Sequence, residues 1–181
     1  YRLLSDSVAP QPPLSNGAKR PYLAGASTDF GHAIFESKWN LTADAGSGSN
    51  VKLYKSDDGV VRLLAPSGAC AGNSAPAATS PCSAAGLGAI ALKQTQAQHT
   101  LSADGSRAFV TSPVSSSGEV STRAGAVSKL YLFDDSGTAA GADDAVTQVN
   151  ASEKASPEIA QAASFQIASA DGNRAFFSSG E

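Results

Sequence analysis

Few residues in this chain could carry out chemistry, and their spacing specifies no catalytic arrangement. The only histidines are His32 and His99. A histidine that acts as a general base or a metal ligand needs partner groups at matching positions, and the sequence specifies none for either one. Serine is abundant, but no Gly-x-Ser-x-Gly nucleophile elbow occurs. We therefore predict that the chain is not an enzyme, with no catalytic residues and no cofactor.

Three pairs of neighbouring aspartates are candidate ligands for a cation. They are Asp57-Asp58, Asp134-Asp135 and Asp143-Asp144. Calcium takes several oxygen ligands, which acidic turns can supply. The EF-hand pattern with its terminal glutamate is absent, and so is the full nonapeptide calcium repeat. We interpret these pairs as hairpin turns kept soluble by charge, and we predict no metal site.

Cys70 and Cys82 are the only cysteines, and the eleven residues between them form a polar stretch without histidine. Two cysteines without further ligands do not complete a four-ligand zinc site. We predict a disulfide between them, two free thiols being the alternative. Closing a loop of this size would stabilise the fold by about 3 kcal/mol in the chain-entropy model. A disulfide indicates an oxidising compartment, so we predict an extracytoplasmic protein: secreted, periplasmic or on the cell surface.

Charge and hydropathy exclude two classes of partner. The net charge is -3, and Lys and Arg are scattered singly along the chain. A nucleic-acid-binding domain normally has a clustered basic face, so we predict no nucleic-acid partner. No stretch approaches the roughly 20 apolar residues of a membrane-spanning helix, so we predict no membrane span.

The strongest pattern in the sequence is a turn motif, Ser-x-Asp followed by Gly or Phe, that occurs in three aligned segments. Aspartate in such a turn accepts hydrogen bonds from backbone N–H groups two residues on, and glycine takes the position with positive φ. In the first copy Phe30 stands where glycine is expected, and Gly31 is the candidate to supply the turn instead. The predicted structural turn residues are Ser27, Asp29, Ser102, Asp104, Gly105, Ser169, Asp171 and Gly172.

A second element follows the first two turns at a similar distance, its tyrosines lying 25 and 27 residues after the turn aspartates. It reads Lys-Leu-Tyr at residues 52–54 and again at residues 129–131, and each copy leads into an aspartate-rich turn and a short apolar run. The stretch after each Ser-x-Asp turn alternates with a period of two, which is typical of a strand with one face more buried. One unit is therefore strand, turn, strand, connection, strand, turn and strand. The sequence predicts an all-β fold made of four-stranded antiparallel meanders.

These motifs resemble the repeat of TolB-like, WD40-like propellers of the PD40 type. The motif residues at 27–29, 102–105 and 169–172 match the Ser-Pro-Asp-Gly turn of that repeat, except that Thr28, Ala103 and Ala170 replace the proline. The resemblance implies β-propeller blades, in a partial propeller of about two and a half to three blades. It divides the chain into the end of a preceding blade or a linker (1–20), a blade unit with the cysteine-containing insertion (21–95), a second unit (96–160) and the opening hairpin of a further blade (161–181).

The expected function is that of a non-enzymatic binding or scaffold module. Long connections at residues 38–50, 66–88 and 113–127 would be presented to a protein, to a cell-envelope polymer or to a second copy of the chain. One alternative is the accessory propeller of a hydrolase or peptidase whose catalytic domain lies outside this chain. Another is a structural cell-surface protein that assembles into filaments through strand edges. Trp39 is either an exposed recognition residue or part of the packing of its loop.

Overall fold

The structure is a computed structural model that describes residues 21–45, 52–64, 83–84, 99–112, 129–135, 145–151, 153 and 163–179. Cys70, Cys82 and residues 1–20 lie outside these ranges, as do the Asp143-Asp144 pair and most of the three long connections. Within these ranges the regular structure is β-strand, apart from one 3-10 turn at Ala43–Ala45. The predicted all-β class is confirmed.

In the part of the chain that the structure describes, ten strands form three antiparallel sheets whose strands follow one another in sequence order. The first sheet contains β1 (Tyr22–Ala26), β2 (His32–Ser37), β3 (Lys52–Asp57) and β4 (Val60–Leu63). The second sheet contains β5 (Ser83–Ala84), β6 (Arg107–Ser112), β7 (Lys129–Asp134) and β8 (Ala145–Gln148). The third sheet contains β9 (Ala163–Ala168) and β10 (Ala175–Ser179).

The edge of the second sheet is shared by two segments that are distant in sequence. Ser83 and Ala84 pair with Thr111 and Val110, whereas Leu101 forms an isolated bridge with Ala108. The sequence-based boundary after residue 95 placed Ser83 and Ala84 with the first unit, but the hydrogen bonds place them in the second sheet. A strand of two residues is too short to show the alternation that identifies strands from sequence.

The sheets pack face to face, and successive residues of a strand direct their side chains to opposite faces of its sheet. One cluster joins the first and second sheets and includes Ile34 and Leu53 on one side and Val110 and Phe133 on the other. A second cluster joins the second and third sheets, where the rings of Phe109 and Phe165 stack with centroids 5.4 Å apart. The second sheet is therefore covered on both faces.

The outer face of the first sheet is covered by its own connection rather than by another sheet. Phe35 and Tyr54 stack on this face with ring centroids 5.7 Å apart, and Leu41 and Ala45 are buried against them. The Tyr54 hydroxyl donates to the carbonyl of Trp39 (2.7 Å) and accepts from the backbone N–H of Leu41 (3.2 Å). Trp39 is half-buried in this cluster, so it belongs to the packing of the loop.

Candidate functional site: the stacked turns and the charges between sheets

The three Ser-x-Asp turns have the same hydrogen-bond pattern, which is built from the two residue types that the motif specifies. In the second turn the Ser102 hydroxyl donates to Asp104 Oδ1 (2.6 Å) and accepts from the backbone N–H of Arg107 (2.9 Å). Asp104 Oδ1 also accepts from the backbone N–H of Ser106 (3.0 Å). The first turn repeats these bonds at Ser27 and Asp29, and the third repeats them at Ser169 and Asp171.

The residue after the aspartate adopts the left-handed conformation in every turn. Gly105 has φ +77° and Gly172 has φ +68°, as the motif predicts. In the first turn the prediction that Gly31 takes this role is wrong, because Phe30 itself has φ +59°. The hydrogen bond from Phe30 N to the Ser27 carbonyl (3.1 Å) corresponds to the one from Gly105 N to the Ser102 carbonyl (2.9 Å). The turn geometry is thus kept at the cost of backbone strain in a non-glycine residue.

A chain of backbone hydrogen bonds connects the three turns across the sheets. The N–H of Thr28 donates to the carbonyl of Ala103 (2.9 Å), and the N–H of Ala103 donates to the carbonyl of Ala170 (2.7 Å). The Thr28 hydroxyl donates to the same Ala103 carbonyl (3.1 Å). These are the positions at which the propeller repeat that the motif resembles has proline, which has no N–H to donate. The departure from the motif therefore coincides with a contact between units.

The glycine of each following turn is covered by a side chain from the unit before it. A Cβ added at Gly105 would lie 2.3 Å from Cγ of His32, and one added at Gly172 would lie 2.9 Å from Cβ of Arg107. His32 and Arg107 are at equivalent positions of the repeat, since each is the first residue of its strand and directly precedes an alanine. Arg107 also donates to Asn173 Oδ1 (2.6 Å) in the third turn. Glycine is required at positions 105 and 172 for packing as well as for φ.

Buried charges link the first sheet to the second. The Lys55 ammonium, only 4% exposed, lies 2.7 Å from Asp135 Oδ2 and 3.1 Å from Asp57 Oδ1. Arg62 also bridges Asp135 and Asp57. His32 Nδ1 lies 2.7 Å from Asp57 Oδ1, and Arg107 Nε lies 3.0 Å from Asp134 Oδ2 at the corresponding strand positions. The sequence motifs did not predict the ion pairs between the two sheets, because Lys55 and Arg62 are 80 and 73 residues from Asp135 in sequence.

The carboxyl groups of the turns are held in the ionised form. The hydrogen bond from Ser102 and that from the backbone of Ser106 lower the pKa of Asp104 to about 2. The hydrogen bonds from Ser169 and Asn173 likewise lower the pKa of Asp171 to about 2. Burial raises the pKa of Asp135, but the hydrogen bond and charge of Lys55, together with Arg62, outweigh it and leave the pKa below 3.8. These groups act as fixed acceptors rather than as proton donors at neutral pH.

Three of the six aspartates considered as cation ligands pair with basic side chains of the protein. Asp57, Asp134 and Asp135 each pair with Lys, Arg or His. The part of the chain that the structure describes contains no group of three or more His, Cys, Asp or Glu placed to hold a metal ion. His99 is exposed, with φ +56°. No helix in the described ranges is long and apolar enough to span a membrane.

Comparison of the chain with protein-family models, with curated proteins and with solved structures gives no match.

Proposed function

We propose that the chain is a non-enzymatic scaffold module of an extracytoplasmic protein, in which the three sheets are blades of a β-propeller. The observation that carries this proposal is that the residues of the repeat form hydrogen bonds within each turn and between neighbouring turns. The serine and aspartate of each turn are engaged in hydrogen bonds within the turn, and the second residue of the first two turns donates to the next unit. The repeat thus supplies rigidity and stacking.

A rigid stack with long insertions suits a binding role. Residues 113–127 connect β6 to β7, which are neighbours in the second sheet. A hairpin connection needs only two to five residues, so the remainder is available for contact with a partner. The partner that we propose is a protein or a polymer of the cell envelope.

Binding can be tested by co-sedimentation of the 181-residue chain with an insoluble cell-envelope fraction and with purified peptidoglycan. The test variants replace residues 113–127 or residues 66–82 by a short Gly/Ser linker, which leaves β5 (Ser83–Ala84) in place. Phe30→Ala is the matched control, because it changes an exposed side chain on a turn and leaves both insertions intact. We expect retention of the parent and of the control, and loss of retention with at least one linker variant.

Retention of every linker variant at the level of the parent would contradict a role for the insertions. Failure of all fractions to retain the parent would contradict binding to the envelope. Hydrolysis of peptide or ester substrates by the purified chain, above the rate in buffer, would contradict the non-enzymatic proposal. A hydrolase domain in the same open reading frame would favour an accessory propeller instead.

A further inference from the structure

One large apolar side chain of the third sheet is exposed where its equivalents are buried. Phe176 occupies the position after the first alanine of β10, which corresponds to Ile34 in β2 and Phe109 in β6. Ile34 is 0% exposed and Phe109 is 2% exposed, because each faces the next sheet. Phe176 is 62% exposed. The face of the third sheet that carries Phe176 is thus the face on which a further sheet would pack.

The third turn repeats two more groups that face the next unit in the other copies. The N–H of Ala170 corresponds to the N–H groups of Thr28 and Ala103, which donate to the following turn. It has no acceptor among the described residues. Arg174 corresponds to His32 and Arg107, whose side chains cover the glycine of the following turn. Its side chain is exposed. A donor, a cationic side chain and an aromatic ring therefore lie on one side of the third sheet.

The first sheet does not offer the matching surface. In the existing contacts, His32 and Arg107 each lie over the glycine of the next turn, Gly105 or Gly172. The equivalent residue of the first turn is Phe30. A Cβ at this place would come within 2.3–2.9 Å of the covering side chain in the existing contacts. The segment from Trp39 to Ala45 also covers Phe35 and Tyr54, the latter being equivalent to Tyr131, which faces the preceding sheet. The first sheet of a second copy is therefore a poor occupant.

We propose that the Phe176 face of the third sheet is a docking surface for a further sheet of the same repeat, one that has glycine in its Ser-x-Asp-Gly turn. The N–H of Ala170 would donate to the second residue of the incoming turn. Arg174 would lie over its glycine, and Phe176 would be buried against its apolar side. The same contacts already join the first sheet to the second and the second to the third, so the docking continues an interface that the fold uses twice. These contacts do not require the sheets to close into a ring.

The test extends the chain by one unit. Ser179 is the repeat equivalent of Ser112, so a second copy of residues 113–181 joined after Ser179 supplies strands equivalent to β7 and β8 and then a new hairpin with a glycine-containing turn. Phe176→Ser and Arg174→Ala are made in both the parent and the extended chain. Phe30→Ser is the matched control, because Phe30 is a similarly exposed aromatic residue at the other end of the stack. The readouts are the melting temperature and the hydrogen exchange of the Ala170 amide.

We expect Phe176→Ser to lower the melting temperature of the extended chain by about 5 °C or more and that of the parent by no more than about 2 °C. The Ala170 amide should be protected only in the extended chain, and Phe30→Ser should have the same effect in both chains. Equal effects of Phe176→Ser in the two chains, with Ala170 unprotected in both, would overturn the proposal. Dimerisation of the parent that is abolished by Phe176→Ser would place a second copy on this face and would also overturn it.

Discussion

The imidazole of His32 lies directly over Gly105, in the turn of the following unit, so that a Cβ added at Gly105 would be 2.3 Å from His32 Cγ and 2.4 Å from His32 Cβ. Gly105 also has φ +77°. A single glycine therefore meets two separate requirements, one on backbone conformation and one on the space between units.

These two requirements can be separated by comparing Gly105→Ala with Gly59→Ala. Gly59 has φ +92° and nothing within 4 Å of an added Cβ, so its substitution tests backbone strain alone. We expect Gly59→Ala to lower the free energy of unfolding by about 1–2 kcal/mol. Gly105→Ala should lower it by roughly 1–3 kcal/mol more, because the His32 ring must move. Urea denaturation measures the loss in free energy of unfolding for each variant. Equal losses would contradict the packing requirement, because they would mean that His32 can move away from the turn without destabilising the fold.

Phe30 provides the opposite test, because the first turn has a non-glycine residue in the left-handed region. Its side chain is 76% exposed, so its removal loses little packing. Phe30→Gly should raise the free energy of unfolding by up to about 1 kcal/mol, the relief of strain being partly offset by the greater entropy of glycine in the unfolded chain. Phe30→Ala keeps the Cβ and should give no gain. A gain of the same size with alanine would show that the exposed ring, rather than the backbone, was unfavourable.

The carboxyl groups of the turns make stability depend on acid. The pKa of Asp104 is about 2 in the folded chain against an ordinary value of 3.8, so the unfolded state binds more protons between these values. The free energy of unfolding should therefore be constant above about pH 5 and fall as the pH is lowered from about 4 to 2. Asp104→Asn should reduce this fall relative to the parent in urea titrations from about pH 2 to pH 6. An unchanged slope in the variant would assign the acid dependence to other groups.

The buried ion pair of Lys55 with Asp135 should matter more than the more exposed pair of Arg107 with Asp134. Asp135→Asn removes a charge beside an ammonium that is 4% exposed, and Asp57 compensates only in part. We expect a loss of about 2–3 kcal/mol. Asp134→Asn affects a pair whose side chains are 24% and 27% exposed, and it should cost no more than about 1 kcal/mol. Chemical denaturation of the two variants provides the comparison, and the reverse order would contradict this ranking.

The predicted disulfide can be tested by mass spectrometry, since Cys70 and Cys82 lie outside the described residues. Alkylation of the denatured chain without reductant should add no mass, and alkylation after reduction should modify both cysteines. Two alkylated cysteines without reductant would refute the bridge and remove the main argument for an oxidising compartment.

The local structure was largely predictable, whereas the contacts between units were not. Ser102, Asp104 and Gly105 predict their turn because each acts on backbone groups within a few residues. The antiparallel pairing of β2 with β3 also agrees with the predicted meander. By contrast, no local rule pairs Lys55 with Asp135, and none makes Phe30 adopt a positive φ while Gly31 follows it. These features arise because tertiary packing fixes the turn, and the residue present must conform to it.

The bonds from Thr28 to Ala103 and from Ala103 to Ala170 span 75 and 67 residues, yet they join equivalent atoms. The same contact between neighbouring turns therefore forms although the two intervening stretches differ in length by eight residues. Insertions can grow, shrink or be exchanged without moving the sheets, provided that the two ends of each insertion remain in place. The molecule can thus acquire new recognition segments while its framework stays the same, and the long connections between its strands are natural places to graft foreign sequences.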